Sequence, residues 1–294
     1  MISSQKIRAY GQLVALSHTV FALPFAASAV VLAHAQAHLP LTLLRVVALL
    51  TCMVGARTSA MAFNRFIDRD IDAINPRTRD RHVPRGDVKP KEALALTAIS
   101  GALFLAAAAS LGKLPAILAP FVLVVLLGYS LAKRFTWGAH AWLGVALSLA
   151  PGGAWLAMGA APNAGIISLM VGVLFWLLGF DVLYSLQDES FDRANGLHSI
   201  PARFGLRTSL VLSALAHVVT VGAFAFAGWS LARGPLFFAG VVVTALLLGW
   251  EHAIVGKGNL AKIDKAFFDL NAWVSVGFFV FCVCDELYRR EVLS

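Results

Sequence analysis

The chain has 294 residues, of which 59% are hydrophobic and only 14% are charged, and its formal net charge is +8. Soluble domains carry about 25% charged residues, so this composition excludes an ordinary soluble globular protein and indicates an integral membrane protein. The positive charge does not require a nucleic-acid partner, because Lys and Arg gather in the cytoplasmic loops of membrane proteins. We therefore expect the lipid bilayer, and no nucleic acid, among the partners of this protein.

Apolar stretches long enough to cross a bilayer as helices recur along the whole chain. Strands are not expected, since the stretches are continuous and rich in Leu and Ala, and only helices or closed barrels satisfy the backbone in lipid. We predict an all-α fold, a single transmembrane domain over residues 1–294, built as a bundle of nine transmembrane helices around a central cavity. The nine predicted spans are 11–34, 41–63, 92–111, 115–132, 140–159, 164–186, 206–230, 235–254 and 267–287.

The first span resembles a signal peptide in part of its sequence. Lys6 and Arg8 precede it, and Ala33-His34-Ala35 lies at its end like a cleavage site. However, its apolar stretch is longer than the 7–15 residues that are typical of the hydrophobic region of a signal peptide. We therefore expect this helix to be retained.

The positions of Lys and Arg predict how the chain is oriented in the membrane. The N-terminus and the even-numbered connections are rich in these residues, whereas the alternate connections hold only Lys113 and Arg233. The positive-inside rule then places the N-terminus and the even-numbered connections in the cytoplasm. Arg289 and Arg290, near the C-terminus, are an exception to this count. The prediction is a multi-pass protein of the inner (cytoplasmic) cell membrane.

A group of polar residues lies where the second predicted span ends. Arg57, Asn64, Asp68 and Asp72 are spaced seven, four and four residues apart, so in a helix all four would project from one face. Two carboxylates one turn apart, with an amide above them, suit a hard divalent cation that takes oxygen ligands. Without a cation, such neighbouring like charges repel each other.

A second acidic group lies at the end of the sixth predicted span, which the charge count places on the same side of the membrane. Asp188 and Asp192 repeat the spacing of Asp68 and Asp72. Asp181 follows an apolar run inside the span, where an ionisable group is costly and is a functional candidate by default. We therefore predict that the two groups form one active site that faces the cytoplasm.

Carboxylates alone do not attract an anion, but together with Mg²⁺ they can hold a diphosphate, because Mg²⁺ combines a few carboxylates with phosphate oxygens. In the basic loop after the first group, Arg77 and Arg81 are candidates for the remaining phosphate charge, although the positive-inside bias alone explains many loop arginines. His198, just past the second group, is placed to donate to phosphate. The predicted metal and diphosphate ligands are Asn64, Asp68, Asp72, Asp188 and Asp192.

Arg57 is predicted about two turns deeper in the membrane than Asn64. A guanidinium at that depth needs an anionic partner or a wet cavity, and it binds carboxylates with two hydrogen bonds. One interpretation is a structural pair with Asp181. The other is a binding site for the carboxylate of a small substrate.

At these residues the chain resembles the UbiA-type intramembrane aromatic prenyltransferases, especially the 4-hydroxybenzoate polyprenyltransferases. The first motif of that family, Asn-Asp-x-x-Asp-x-x-x-Asp, is matched at Asn64, Asp68 and Asp72, with Arg65 in place of its second residue. The second motif, Asp-x6-Asp-x3-Asp, is matched at Asp181, Asp188 and Asp192. The loop from Arg77 to Gly86 is also similar, many members have Lys at the position of His198, and the resemblance covers nearly the whole chain.

The resemblance implies an Mg²⁺-dependent enzyme that transfers an isoprenoid chain from a polyprenyl diphosphate to the ring of an aromatic acid, in the biosynthesis of ubiquinone. Arg57 matches the arginine that the family uses for the carboxylate of the acceptor. Asp181 would orient or deprotonate the phenol, so Asp181 and Arg57 are the predicted catalytic residues. Within the first span, the stretch from Ser17 to Phe25 resembles a subgroup that is thought to include enzymes acting on a dihydroxynaphthoate in menaquinone biosynthesis.

Other functions predict different patterns. A transporter is expected to carry ionisable residues at the midplane and broken helices, whereas here the carboxylates gather at one surface. The acidic run of the CDP-alcohol phosphotransferases is absent from this sequence. Another prenyl acceptor, as in haem farnesylation, remains an alternative. A purely structural role would leave Asp181 unexplained.

Overall fold

The computed structural model describes the whole chain except residues 1–9, 12, 14–18, 38–39, 256–262 and 294. Every regular element of the described part is helical, which confirms the predicted all-α class. We number the α-helices α1 to α11; a short 3₁₀ turn, Leu186–Asp188, joins α7 to α8. They are α1 Thr19–Ala37, α2 Leu43–Ile67, α3 Arg69–Ile74, α4 Pro90–Leu111, α5 Lys113–Ala132, α6 Ala139–Ala157, α7 Ala164–Ser185, α8 Glu189–Ala194, α9 Ile200–Ser230, α10 Pro235–Val255 and α11 Ile263–Leu293.

Seven helices of the described chain are long and apolar enough to cross a membrane: α2, α4, α5, α7 with its continuation to Ala194, α9, α10 and the Phe268–Glu291 part of α11. The apolar part of α1 that is described, Val20–His34, is shorter, and α6 is not among the seven. The protein is therefore an integral membrane protein, as its composition indicates. The count of nine crossings and the central cavity stay predictions.

The chain divides into two compact units. That these units form a single domain stays a prediction. The first unit comprises the described residues of Met1–Thr19 together with Thr42–Ala132. In it α2 packs along α4, and the backbones come close at Gly55, where an added Cβ would lie 2.9 Å from the Ser100 carbonyl oxygen. The Ser59 hydroxyl also donates to the Thr97 carbonyl at 2.9 Å. Small residues of this kind let membrane helices approach each other closely.

The second unit comprises Val20–Leu41 and Lys133–Ser294. Its centre is aromatic: the Phe25 ring lies 5.1 Å from the Trp176 ring, and the Phe224 ring lies 4.5 Å from the Phe278 ring. All four side chains are almost fully buried. Because these rings come from α1, α7, α9 and α11, their packing brings together helices that are distant in sequence.

One polar network crosses the apolar interior of the second unit. The Trp176 indole donates to Asn271 Oδ1 at 2.8 Å, and Asn271 Nδ2 donates to Glu251 Oε1 at 3.0 Å. These three side chains have at most 1% exposure. Buried polar groups are costly unless they are hydrogen-bonded, so each of these groups needs its partner, and the network fixes α7, α10 and α11 together.

At the other end of the second unit, acidic side chains of α11 bind the start of α10 and its preceding turn. Buried Asp285 accepts backbone N–H groups from Gly234 and Phe237, at 3.0 and 3.2 Å. Glu286 pairs with both Arg233 and Arg290, each at 2.9 Å. Arg233 and Arg290 are therefore neutralised within the protein, which gives a physical reason for one of the two exceptions, Arg290, in the count of basic residues.

Gly144 provides a test of helix packing in the second unit. An added Cβ there would lie 2.5 Å from the Leu174 carbonyl oxygen, which belongs to the backbone of α7 and cannot rotate away. We expect Gly144→Ala to lower the free energy of unfolding by about 1–3 kcal/mol, the usual cost of overpacking. The measurement is thermal unfolding of the purified protein in detergent.

Gly153 is the matched control, because it lies on the same helix, α6, and has nothing within 4 Å of its added Cβ. Gly153→Ala should leave the unfolding temperature unchanged or raise it slightly, since Ala favours helix. Equal effects of the two substitutions would contradict the close approach of α6 and α7.

Candidate active site

The first acidic group lies where α2 ends and α3 begins. Asp68 belongs to neither helix: its φ and ψ are −88° and 3°, so the helix predicted to run through the group is interrupted there. The one-turn spacing nevertheless continues, because the Asp68 N–H donates to the Asn64 carbonyl at 2.9 Å and the Asp72 N–H to the Asp68 carbonyl at 2.7 Å. Asn64 Nδ2 also donates to Asp68 Oδ2 at 2.9 Å, so these side chains are neighbours, as predicted.

Arg65 occupies the position where the UbiA-type motif has an acid. Its Nη1 donates to Asn64 Oδ1 at 3.2 Å. The Asn64 amide therefore uses its oxygen for Arg65 and its nitrogen for Asp68. Arg65 therefore adds a positive charge that holds Asn64 in place. The family motif would supply a further carboxylate at the same position.

Asp72 is held by the basic loop that follows it. One guanidinium nitrogen of Arg81 lies 2.7 Å from Oδ1 and 2.8 Å from Oδ2 of the buried Asp72. The loop folds back because the Thr78 hydroxyl donates to the Asp72 carbonyl at 3.2 Å. Arg81 was predicted to neutralise phosphate, and here it neutralises a predicted metal ligand.

The other basic residues predicted in this unit have different environments. Arg77 has an exposed side chain, and its backbone N–H donates to Asn75 Oδ1 at 2.9 Å. Arg57 is half-buried on α2. The phenol of Tyr129, on α5, lies within electrostatic range of Arg57, Arg65 and Asp68. Tyr129 was not predicted from the sequence, where its only signal is a polar atom near the end of an apolar span.

The second acidic group repeats the local structure of the first. The six-residue helix α8 follows Asp188, as the six-residue helix α3 follows Asp68. The φ and ψ of Asp188 are −100° and 2°, close to the values of Asp68. Asp72 and Asp192 then occupy equivalent positions, and both are buried. The repeated spacing in the sequence therefore corresponds to a repeated break followed by a short helix.

Asp192 lies next to the start of α9, beside the Ser199 hydroxyl and in electrostatic range of Lys133 and Asp188. Ser199 is also the N-cap of α9, where its oxygen accepts the Ala202 N–H at 3.3 Å. The Ser199 side chain thus caps the start of α9 and places its hydroxyl beside the Asp192 carboxylate.

His198 and Lys133 meet through the backbone. The His198 N–H donates to the Lys133 carbonyl at 2.7 Å, and the His198 side chain is exposed. In the sequence, Lys133 is recognisable only as one of the basic residues of a loop. Its charge in fact lies near Asp192, a proximity that sequence spacing could not indicate.

Asp181 has a partner that was not predicted from the sequence. Its Oδ2 lies 2.7 Å from His140 Nδ1, and its side chain is 24% exposed, so it is accessible as well as paired. The Ile200 N–H donates to His140 Nε2 at 3.2 Å. A nitrogen that accepts a hydrogen bond carries no proton, so His140 is neutral and its proton is on Nδ1, facing Asp181.

The two acidic groups belong to different units. Asn64, Asp68 and Asp72 lie in the first unit, and Asp188 and Asp192 lie in the second, so each unit supplies two of the four predicted metal-binding carboxylates. Within the described residues there is no cluster of three or more His, Cys, Asp or Glu side chains that could hold a metal ion. The convergence of the two groups, and any pairing of Arg57 with Asp181, stay predictions.

Comparisons with known proteins place these features in one family. The chain is 32% identical over 233 residues to the 4-hydroxybenzoate octaprenyltransferase of Dechloromonas aromatica (strain RCB), covering 79% of this chain and 78% of that protein. It is 29% identical over 247 residues to the 4-hydroxybenzoate octaprenyltransferase of Aromatoleum aromaticum, covering 84% of this chain and 82% of that protein.

Solved structures agree with this relationship. The apo structure of a UbiA homolog from Aeropyrum pernix K1 matches with a TM-score of 0.82 and 32% identity, over 92% of this chain and 98% of that one. A UbiA homolog from Archaeoglobus fulgidus bound to GPP and Mg²⁺ matches with a TM-score of 0.70, over 97% of this chain and 100% of that one. At 18% identity, the latter likeness concerns the fold alone.

The profile of the UbiA prenyltransferase family matches residues 22–276, which include both acidic groups and most of the helices. This match confirms the resemblance that the two motifs indicate. The chain belongs to the UbiA prenyltransferase family.

Proposed function

We propose that this protein transfers a polyprenyl group from a polyprenyl diphosphate to the ring of an aromatic acid, 4-hydroxybenzoate or a close analogue, in quinone biosynthesis. The observation that carries the proposal is the repeated break and short helix at the two acidic groups, which keeps Asp72 and Asp192 buried in equivalent positions. Relatives named 4-hydroxybenzoate octaprenyltransferase support the choice of acceptor.

The residues of the two groups suit Mg²⁺. Their donor atoms are carboxylate and amide oxygens, the hard ligands that Mg²⁺ takes alongside phosphate oxygens. The proposed ligands are Asn64, Asp68, Asp72, Asp188 and Asp192. When bound, Mg²⁺ supplies positive charge that stabilises the departing diphosphate.

The basic side chains also bind the diphosphate of the donor. Arg81 holds Asp72 at 2.7 Å, and it exchanges this partner for diphosphate oxygens when the donor binds. Arg77, Lys133 and His198 supply further donors, since charge-assisted hydrogen bonds to phosphate are among the strong ones. The allylic C–O bond breaks, the electron pair leaves with the diphosphate, and the ring carbon ortho to the phenol bonds to the resulting allylic cation and then loses its proton.

Arg57 and Asp181 act on the acceptor. Arg57 binds the carboxylate of the aromatic acid, and Asp181 orients the phenol or accepts its proton. The active site faces the cytoplasm of the inner membrane, because the basic connections lie at the same helix ends as the acidic groups. The long isoprenoid chain remains in lipid, which is a physical reason for a membrane enzyme.

Asp68 and Asp188 provide the direct test. We expect Asp68→Ala and Asp188→Ala each to lower prenyl transfer on the order of 100-fold or more, as loss of a preorganised charge-stabilising group does. The assay incubates membranes with Mg²⁺, a labelled polyprenyl diphosphate and 4-hydroxybenzoate, and then identifies the lipid product. A dihydroxynaphthoate in parallel reactions decides between the two classes of acceptor.

Asp70→Ala is the matched control, because Asp70 lies between Asp68 and Asp72 in sequence but its side chain is 81% exposed. It should retain wild-type turnover. If both Asp68→Ala and Asp188→Ala turned over fully, the assignment of the two acidic groups would be wrong.

Arg57→Ala tests the acceptor site. We expect the KM for 4-hydroxybenzoate to rise at least about tenfold, since a hydrogen-bonded charge pair with the substrate is lost. The KM for the polyprenyl diphosphate should not change. The methyl ester of the acceptor, which lacks the charge, should react equally with both enzymes.

The ester also separates the two interpretations of Arg57. A purely structural arginine, such as one that holds Asp181, would affect the acid and its ester to the same extent. Equal losses for both acceptors would therefore contradict carboxylate recognition by Arg57.

A further inference from the structure

We propose that His140 is a positioning residue for the reaction, which holds the Asp181 carboxylate in the orientation that the acceptor requires. This inference rests on the proposed function, in which Asp181 acts on the phenol. The observation behind it is a chain of two hydrogen bonds in the second unit: the Ile200 N–H donates to His140 Nε2, and His140 Nδ1 donates to Asp181 Oδ2.

The surroundings of His140 restrict its ring to one orientation. The residue is 4% exposed and lies in the first turn of α6. Both ring nitrogens are engaged, at 3.2 Å to the Ile200 nitrogen and 2.7 Å to Asp181. Rotating the ring by half a turn would break both bonds, so the imidazole cannot flip without leaving a buried backbone N–H unsatisfied.

The backbone of α9 selects the tautomer. The Ile200 N–H can only donate, so the nitrogen that faces it must accept, and the ring proton is therefore on Nδ1. In this arrangement, the hydrogen-bonding group that His140 presents to Asp181 is always the Nδ1–H donor. Such a fixed partner directs a carboxylate in the same way as an outer partner directs a metal-binding or catalytic histidine.

His140 also connects the two proposed halves of the chemistry within the second unit. Ile200 follows Ser199, whose hydroxyl lies beside Asp192. The segment Ser199–Ile200 therefore places a side chain beside the diphosphate-side carboxylate and holds the acceptor-side carboxylate through its backbone and His140. Because His140 takes Oδ2 of Asp181, the proposal assigns the interaction with the phenol to Oδ1.

Three substitutions separate the two hydrogen bonds. Asn places an amide N–H close to the position of Nδ1, because both nitrogens are attached to Cγ, so His140→Asn keeps the donor to Asp181. Gln reaches towards the position of Nε2, so His140→Gln keeps an acceptor for Ile200. His140→Ala removes both groups.

We expect kcat to fall roughly 10–100-fold in His140→Gln and His140→Ala, the usual effect of losing an outer partner of a functional group. His140→Asn should stay within about threefold of the wild type, because its donor to Asp181 is retained. The KM for the polyprenyl diphosphate should be the same in all three. Steady-state kinetics in detergent, with the unfolding temperature of each variant, provides the measurement.

If His140 had only a structural role, the kcat values of the three variants would follow a different order. If only the buried Ile200 N–H mattered, His140→Gln would be the most active variant and His140→Asn would resemble His140→Ala; that result would overturn the proposal. Wild-type kcat in all three variants would overturn it as well.

The same kinetics in an Asp181→Asn background tests whether His140 acts through Asp181. We expect His140→Ala to change the kcat of Asp181→Asn by less than about twofold, because groups that act as one unit are not additive. A loss equal to that in the wild-type background would show that His140 acts independently of Asp181, against the proposal. Failure of the proposed function itself would be recognised separately, as the absence of prenylated product from the wild-type enzyme.

Discussion

A carboxylate buried at the end of a membrane helix is stable only where positive charges or hydrogen-bond donors surround it. This constraint organises both acidic groups of the protein. Asp72 is bound by Arg81 through both of its oxygens, and Asp192 lies beside the Ser199 hydroxyl and in electrostatic range of Lys133. The loops that carry these partners therefore fold back onto the helix ends, and the local structure of each site follows from the need to hold its acids.

The two acidic groups have the same local structure. In each, a long apolar helix is interrupted and a six-residue helix begins after an aspartate, Asp68 or Asp188. A hydrogen bond from the Asp72 N–H to the Asp68 carbonyl carries the helical spacing across the first break. A membrane prenyltransferase that binds a water-soluble headgroup on a lipid-soluble chain needs this kind of boundary between apolar helix and polar loop.

The two halves of the proposed chemistry are supported by different kinds of contact. Charged side chains and an amide hold the first group, where Arg65 and Arg81 lie among Asn64, Asp68 and Asp72. In the second, a neutral donor, the His140 imidazole, binds Asp181, and the Ser199 hydroxyl lies beside Asp192. Neutral donors fix the position of a carboxylate without cancelling its charge, which suits a group that must still act on a substrate.

The sequence by itself determined the class of the protein, the two acidic motifs and the family, because hydropathy and the spacing of residues along a helix are local properties of the chain. It could not determine which partner each acid takes. Asp181 and His140 are 41 residues apart, and only the packing of α6, α7 and α9 brings the imidazole against the carboxylate. The interruption of the helix at Asp68 was likewise visible only in the folded chain. Hydrogen-bond partners across helices depend on distances that sequence spacing does not encode, and for this reason Tyr129, Lys133 and His140 were found only in the folded chain.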